Sequence, residues 1–244
     1  MSNEYATLHD SLREAISRGL GWASLRPVQE LTIAAVRRGS NVVVLAPTAG
    51  GKTEAAVIPV LDATLTMPQE RGPSVLYVCP LRALLNNLED RIRHLYGLVG
   101  LSVFKWHGDV DDRKKRSFVA DPADMLMTTP ESIEAMLVSA RTDTRALFAN
   151  VRFVIIDEVH AFAADDRGAH LASVLERVQA CSSHDIQRIA LSATIGNPEL
   201  LLDWLAGSSQ RHRELVSPPR MPSPKVLRIV SVPPGDGFAE VAAA

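Results

Sequence analysis

The chain has 244 residues, 46% of them hydrophobic, and a net charge of −2. That size and apolar share support a real folded core and exclude a disordered chain. They also exclude nucleic-acid binding through bulk positive charge, so any such binding rests on local contacts. The two cysteines, Cys79 and Cys181, form neither a disulfide framework nor a zinc pattern, and Cys79 ends an apolar run, as a buried core thiol does. The start, Met1-Ser2-Asn3-Glu4-Tyr5, lacks a basic, apolar leader, and no apolar run reaches membrane-spanning length. A cytoplasmic protein is the expectation.

Taken in chain order, Leu8 to Leu20 predicts a helix with Leu12, Ile16 and Leu20 on one stripe, ended by Gly19 and Gly21. Pro27 to Arg38 predicts a second, with proline in its first turn and Gly39 beyond its end. Asn41 to Ala46 is a short, almost wholly apolar run, which reads as a strand buried on both faces of a parallel sheet. A turn carrying Gly50 and Gly51 follows, and Lys52-Thr53-Glu54-Ala55 opens a helix. Glycines let successive N–H groups converge on one anion, and the helix N-terminus adds its partial positive charge. Residues Ala46-Pro47-Thr48-Ala49-Gly50-Gly51-Lys52-Thr53 therefore read as a phosphate loop, with alanine at the position usually held by the first glycine. Lys52 is placed to reach the β- and γ-phosphates, and the Thr53 hydroxyl to ligate Mg²⁺.

Further strands are predicted at Val75 to Cys79, Ser102 to Trp106, Asp124 to Thr128, Val151 to Ile156 and Arg188 to Ser192, with helices at Ala83 to Tyr96, Glu131 to Ser139, Ala169 to Ala180 and Pro198 to Leu205. This alternation gives an α/β fold, a mostly parallel sheet with helices on both faces. Asp157 and Glu158 close the Val151-to-Ile156 strand at its C-terminal end, where ligands of open α/β sheets bind. Asp157 suits a Mg²⁺ ligand, and Glu158 a group that orients and activates attacking water. Both elements together point to Mg²⁺ and ATP. After Gly207 the chain changes character: Ser217-Pro218-Pro219-Arg220-Met221-Pro222-Ser223-Pro224 excludes helix, Val226 to Val230 allows one more strand, and Pro233 to Gly237 reads as linker. The expected division is residues 1–40 as N-terminal helices, 41–216 as the ATP-binding domain and 217–244 as a connector.

Four other segments sit where strands end: Pro80-Leu81-Arg82, His107-Gly108-Asp109, Thr128-Thr129-Pro130-Glu131 and Ser192-Ala193-Thr194. One rim holding helix N-termini, hydroxyls and an arginine suits a phosphate backbone. Singly they have plainer roles, with Thr129 as an N-cap, Pro130 as a first-turn proline and Arg82 as a solvated helix residue.

The ordered set Leu25 to Gln29, Ala46 to Thr53, Pro80 to Leu84, Thr129-Pro130-Glu131, Asp157-Glu158-Val159-His160 and Ser192-Ala193-Thr194 resembles the first RecA-like domain of a superfamily 2 helicase. Asp157 to His160 (a DEVH box), Arg167 to Leu171 and Leu191 to Glu199 are most similar to Lhr-type and Ski2-like members. The resemblance implies a RecA-like P-loop domain in which Gln29 reads the adenine edge, beside a pocket shaped by Arg26 and Pro27. It implies that Pro80, Arg82, Gly108, Thr129 and Pro130 contact the nucleic-acid backbone. It further implies that His160, Ser192 and Thr194 link that rim to the ATP site. His170 reads as a helix-packing or capping histidine; Trp22 either stacks on adenine or packs against the N-terminal helix. The expected partners are single-stranded or partly duplex nucleic acid, DNA before RNA, and a second RecA-like domain supplied by a parent chain or a partner. The expected role is a first motor domain with little hydrolysis of its own. The alternative is an ATP-sensing binding module, a subunit of a larger complex without helicase activity.

Overall fold

In the computed structural model the described residues are 4–47, 50–68, 70–140, 142–162, 166–193 and 195–219. Their centre is a seven-stranded, wholly parallel sheet. The strands are β1 (Asn41–Leu45), β2 (Val75–Val78), β3 (Val103–Trp106), β4 (Met125–Thr128), β5 (Phe153–Ile156), β6 (Gln187–Ser192) and β7 (Arg213–Val216), in spatial order β3-β4-β2-β5-β6-β1-β7. The helices are α1 (Asp10–Glu14), α2 (Pro27–Arg37), α3 (Lys52–Thr66), α4 (Arg82–Gly97), α5 (Asp112–Ala120), α6 (Pro130–Val138), α7 (Thr144–Phe148), α8 (Asp166–Cys181) and α9 (Pro198–Ala206). Among the described residues no helix is long and apolar enough to cross a membrane.

Strand residues alternate between two apolar layers. Val42, Val44, Tyr77, Ile155, Ile189 and Leu191 join Leu12, Ile16, Val28, Ile58 and Leu85 on one face. Val43, Leu76, Val78, Val154, Ile156 and Ala190 join Ile133, Phe148, Leu171, Val174 and Leu205 on the other. Burial on both faces is why the strands read as continuous apolar runs. The N-terminal helices and the sheet share one core. Buried Asp62 fastens them, accepting from the His9 amide at 2.6 Å and from Arg37 Nη2 at 2.9 Å.

Four elements depart from the sequence reading, one of them the short helix α7, which no pattern announced. The first predicted helix is two pieces: α1 gives way to a π-helical turn, Ala15–Gly19, in which the Leu20 amide reaches back to the Ala15 carbonyl at 3.0 Å. Helix α5 had no apolar stripe to reveal it. It starts at Asp111, which accepts from the Arg113 amide at 2.8 Å, and its one buried residue, Phe118, stacks on Phe104 at 4.5 Å. Strand β7 is four residues of alternating exposure that pair with β1 at the sheet edge, where Glu214 receives Arg38 and Ser40. The last predicted strand, Val226 to Val230, and nearly all of the predicted connector lie outside the described residues.

Candidate functional site

Parallel pairing sends every strand's C-terminal end to one edge, so the segments singled out in the sequence converge. Leu45 stands beside Ser192, Val78 beside both Ile156 and Thr128, and Ile156 also beside Ala190.

The loop after β1 folds tightly. The Gly50 amide donates to the Pro47 carbonyl at 2.9 Å, and a Cβ on Gly50 would sit 2.7 Å from that carbonyl oxygen. Gly51 caps α3 in the left-handed region at φ +85°, and a Cβ there would meet Gln29 Nε2 at 3.0 Å and Arg26 Cδ at 3.2 Å. At Gly50 and Gly51 an added side chain would crowd its neighbours, as in a turn that curls its amides around an anion. Lys52 is buried, and its Nζ donates to the carbonyls of Ala46 at 2.9 Å and Pro47 at 3.2 Å. Thr53 is half-buried in the first turn of α3. Thr48 and Ala49 lie outside the described residues.

Asp157 leaves β5 on the face that carries Ile155 and α3. It is buried, its amide donates to the Val78 carbonyl at 2.8 Å, and its carboxylate accepts from Tyr77 Oη at 2.9 Å and from the Glu158 amide at 3.0 Å. Burial pushes the Asp157 carboxyl above its ordinary range. The Tyr77 bond, the Glu158 amide and the nearby Lys52 ammonium oppose that shift. Glu158 sits in the left-handed region at φ 44°, the one positive-φ residue other than glycine among the described residues. Such a conformation costs of order 1 kcal/mol or more and is sustained by its surroundings. It turns the chain sharply into the 3-10 turn Val159–Ala161. The turn leaves Glu158 Oε2 buried without a hydrogen bond, 3.4 Å from His160 Nδ1. The same His160 nitrogen lies 3.2 Å from the Ser192 hydroxyl at the end of β6. Thr194 lies outside the described residues.

Gln29 is buried, and its Oε1 accepts from the Arg26 amide at 2.8 Å, capping α2 beside the phosphate loop. Arg26 is exposed. Trp22 packs partly buried against the main core.

The rim extends away from the loop over β2, β4 and β3. Arg82 opens α4, pairs with Asp109 at 2.9 Å and lies against Gly108, where a Cβ would meet its Nη2 at 2.9 Å. Thr129 caps α6, accepting from the Ser132 amide at 3.4 Å, and Pro130 fills the first helical position; both are buried. So Arg82 and Gly108 present themselves at the surface, whereas Thr129 and Pro130 build the helix start. His170 is 3.8 Å from Glu134, in keeping with its packing role.

Two residues have roles the sequence did not disclose. Arg167 donates to the Pro80 carbonyl at 2.7 Å and to Glu131 at 2.9 Å, and its guanidinium lies 5.3 Å over the Phe162 ring. It thereby ties two rim segments to the chain that follows the acidic pair; the sequence marked it only as the start of a family-like segment, with no role attached. Tyr77 was legible only as one polar tip in an aliphatic strand, two residues from the strand's end.

Comparison with known proteins agrees with this geometry. The chain matches the DEAD/DEAH box helicase family over residues 26–201. It is 39% identical to the Lhr helicase/probable uracil glycosylase of Mycolicibacterium smegmatis over 212 residues, which is 81% of this chain and 14% of that protein. It is 35% identical to ATP-dependent helicase Lhr-Core protein 2 of Thermococcus barophilus over 219 residues, 83% of this chain and 25% of that one. It superposes on Mycobacterium smegmatis helicase Lhr bound to ssDNA and AMP-PNP with a TM-score of 0.79 and 35% identity, covering 89% of this chain and 28% of that one. The chain thus spans between a seventh and a quarter of the curated relatives it matches here.

Proposed function

The chain belongs to the DEAD/DEAH box helicase family, and from that premise we propose that it is the first ATP-binding motor domain of an ATP-dependent nucleic-acid helicase or translocase of Lhr type. The observation that carries the reading is the convergence of Lys52, Thr53, Asp157 and Glu158. Tyr77 Oη holds the Asp157 carboxylate at 2.9 Å on the sheet face against which α3, opened by Lys52 and Thr53, packs, and the Lys52 ammonium opposes the upward pull of burial on that carboxyl. Four groups from two strand ends therefore address one space.

The residues fit Mg²⁺-ATP. Lys52 is a buried donor held by two loop carbonyls, Gly50 and Gly51 leave a cradle that a Cβ would fill, and Glu158 Oε2 is a buried acceptor with no hydrogen bond of its own. Lys52 and the loop amides would hold the phosphates, and Thr53 with Asp157 the metal. Bound Mg²⁺ neutralises phosphate charge and so eases attack at phosphorus. Glu158 would accept a proton from water and orient it. Gln29 and the neighbouring Arg26 and Pro27 would line the adenine, with the Gln29 amide offering donor and acceptor together. His160, which contacts both Glu158 and Ser192, is positioned to report the state of the ATP site to the end of β6. Thr194 is assigned to the same link by the motif alone.

Nucleic acid would lie along the rim over α4 and α6, met by Arg82, Gly108 and the helix N-termini that Pro80, Thr129 and Pro130 build. DNA is favoured over RNA because the similar Lhr structure is described with ssDNA. The second RecA-like domain that completes hydrolysis would come from a parent chain or a partner; residues 217–244 would lead toward it. A cytoplasmic location follows from this role.

The test is steady-state ATPase of the chain with and without single strands, beside nucleotide-binding titrations. Mg²⁺-dependent nucleotide binding with hydrolysis near background is the expected result. Robust strand-stimulated turnover by the monomer refutes the half-motor assignment, and absence of nucleotide binding refutes the family role altogether.

A further inference from the structure

Tyr77 is wholly buried in the middle of the sheet, on the layer that faces α3. Every other residue of β2 is aliphatic. An isolated phenol in such a place costs free energy unless its hydroxyl is paired. Here it is paired: Tyr77 Oη donates its one proton to Asp157 Oδ2 at 2.9 Å. The remaining carboxylate oxygen, Oδ1, accepts from the Glu158 amide at 3.0 Å.

Those two donors bear on metal binding. They fix the rotation of the carboxylate and leave its outer lone pairs for a cation. The geometry points to Tyr77 as a positioning residue that presets Asp157, at the end of β5, as a Mg²⁺ ligand. This rests on the proposed ATP site and adds a buried residue from a third element to it. Partners behind the ligands of a metal commonly change its affinity by about 10- to 100-fold when removed. Tyr77 touches neither phosphate nor base, so its effect is confined to the metal-dependent part of nucleotide binding.

A fluorescent ADP analogue titrated onto the full chain over a range of Mg²⁺ concentrations, with wild type and Tyr77→Phe, tests this. The Mg²⁺ midpoint is expected to rise about tenfold in the variant, while affinity measured in EDTA stays within about twofold. In an Asp157→Asn background, where the Mg²⁺ dependence is already lost, adding Tyr77→Phe should change nucleotide affinity less than about twofold at any Mg²⁺ concentration, because the two act as one unit. A merely structural tyrosine would weaken binding equally in EDTA and Mg²⁺, and that result overturns the inference, as does an unshifted midpoint. A second measurement needs no variant. With ¹³Cζ-tyrosine in the wild type, which has three tyrosines, one resonance should move when Mg²⁺ is added to the nucleotide-bound chain and not on nucleotide alone; no movement overturns the proposal. Wild-type chain that binds nucleotide without any Mg²⁺ dependence removes the proposed metal site along with this inference, whereas a normal wild-type response with a silent Tyr77→Phe removes this inference alone.

Discussion

Substituting Gly51 by alanine separates the two demands made on the phosphate loop. The residue sits at φ +85°, a conformation that costs an L-residue about 1–2 kcal/mol. The added methyl would also approach Gln29 Nε2 at 3.0 Å and Arg26 Cδ at 3.2 Å, so the buried amide that caps α2 must shift by tenths of an ångström. Together these predict a loss of about 1–3 kcal/mol, or roughly 2–10 °C in melting temperature for a chain of this size. Gly21 supplies the control. Its φ is +68°, and a Cβ there meets nothing within 4 Å. Gly21→Ala therefore carries the backbone penalty without the contact. Thermal melts and a fluorescent-nucleotide titration are run on both. Gly51→Ala should weaken nucleotide binding about tenfold, the equivalent of ~1.4 kcal/mol if the loop relieves its strain by leaving the cradle conformation. Gly21→Ala should leave it unchanged. Equal behaviour of the two variants in both assays refutes the claim that the loop's tight approach to Gln29 shapes the site.

Asp157→Asn should abolish Mg²⁺-dependent nucleotide binding yet make the apo chain no less stable at neutral pH. The native carboxyl titrates above its unfolded value near 3.9 because of burial, so its ionisation opposes folding at higher pH. That penalty is complete at neutral pH, begins to fade as pH drops through the native pKa, and is gone below the unfolded one. Urea titrations at several pH values should show the variant's advantage shrinking with acidity, and a growing advantage contradicts the sign. Arg82→Glu should cut single-strand affinity at least severalfold with a melting change below about 2 °C, because the Arg82–Asp109 pair is exposed and worth roughly 0–1 kcal/mol. Unchanged strand affinity removes Arg82 from the rim. Glu176→Ala should cost more, about 2 kcal/mol in denaturant unfolding, because it strips a carboxylate partner from Arg188, which is 2% exposed. A loss no greater than that of a surface pair would show that the Leu205 carbonyl alone satisfies the guanidinium.

The phosphate loop, the acidic pair and the alternation of strands with helices were legible in the sequence because each is a local pattern. Buried parallel strands are apolar throughout, and a glycine turn before Lys52 and Thr53 has few other uses. Residues such as Arg82 and Gly108 were legible only as a set, because each has an ordinary surface role by itself. Local pattern could not show α5 or β7. Helix α5 exposes nearly all of its charged face and is anchored by Phe118 on Phe104, a contact across elements. Strand β7 is strand only because β1 offers its open edge. The spatial order β2-β5-β6-β1 was likewise absent from the chain order. That order, with the two-residue period that turns Tyr77 and Asp157 to the α3 side, brings a phenol and a carboxylate from two separate segments into hydrogen-bond range. Side-chain period and apolar burial are written locally and can be read from sequence. Which strand ends become neighbours is settled by burying both faces of one sheet at once, and so belongs to the tertiary structure.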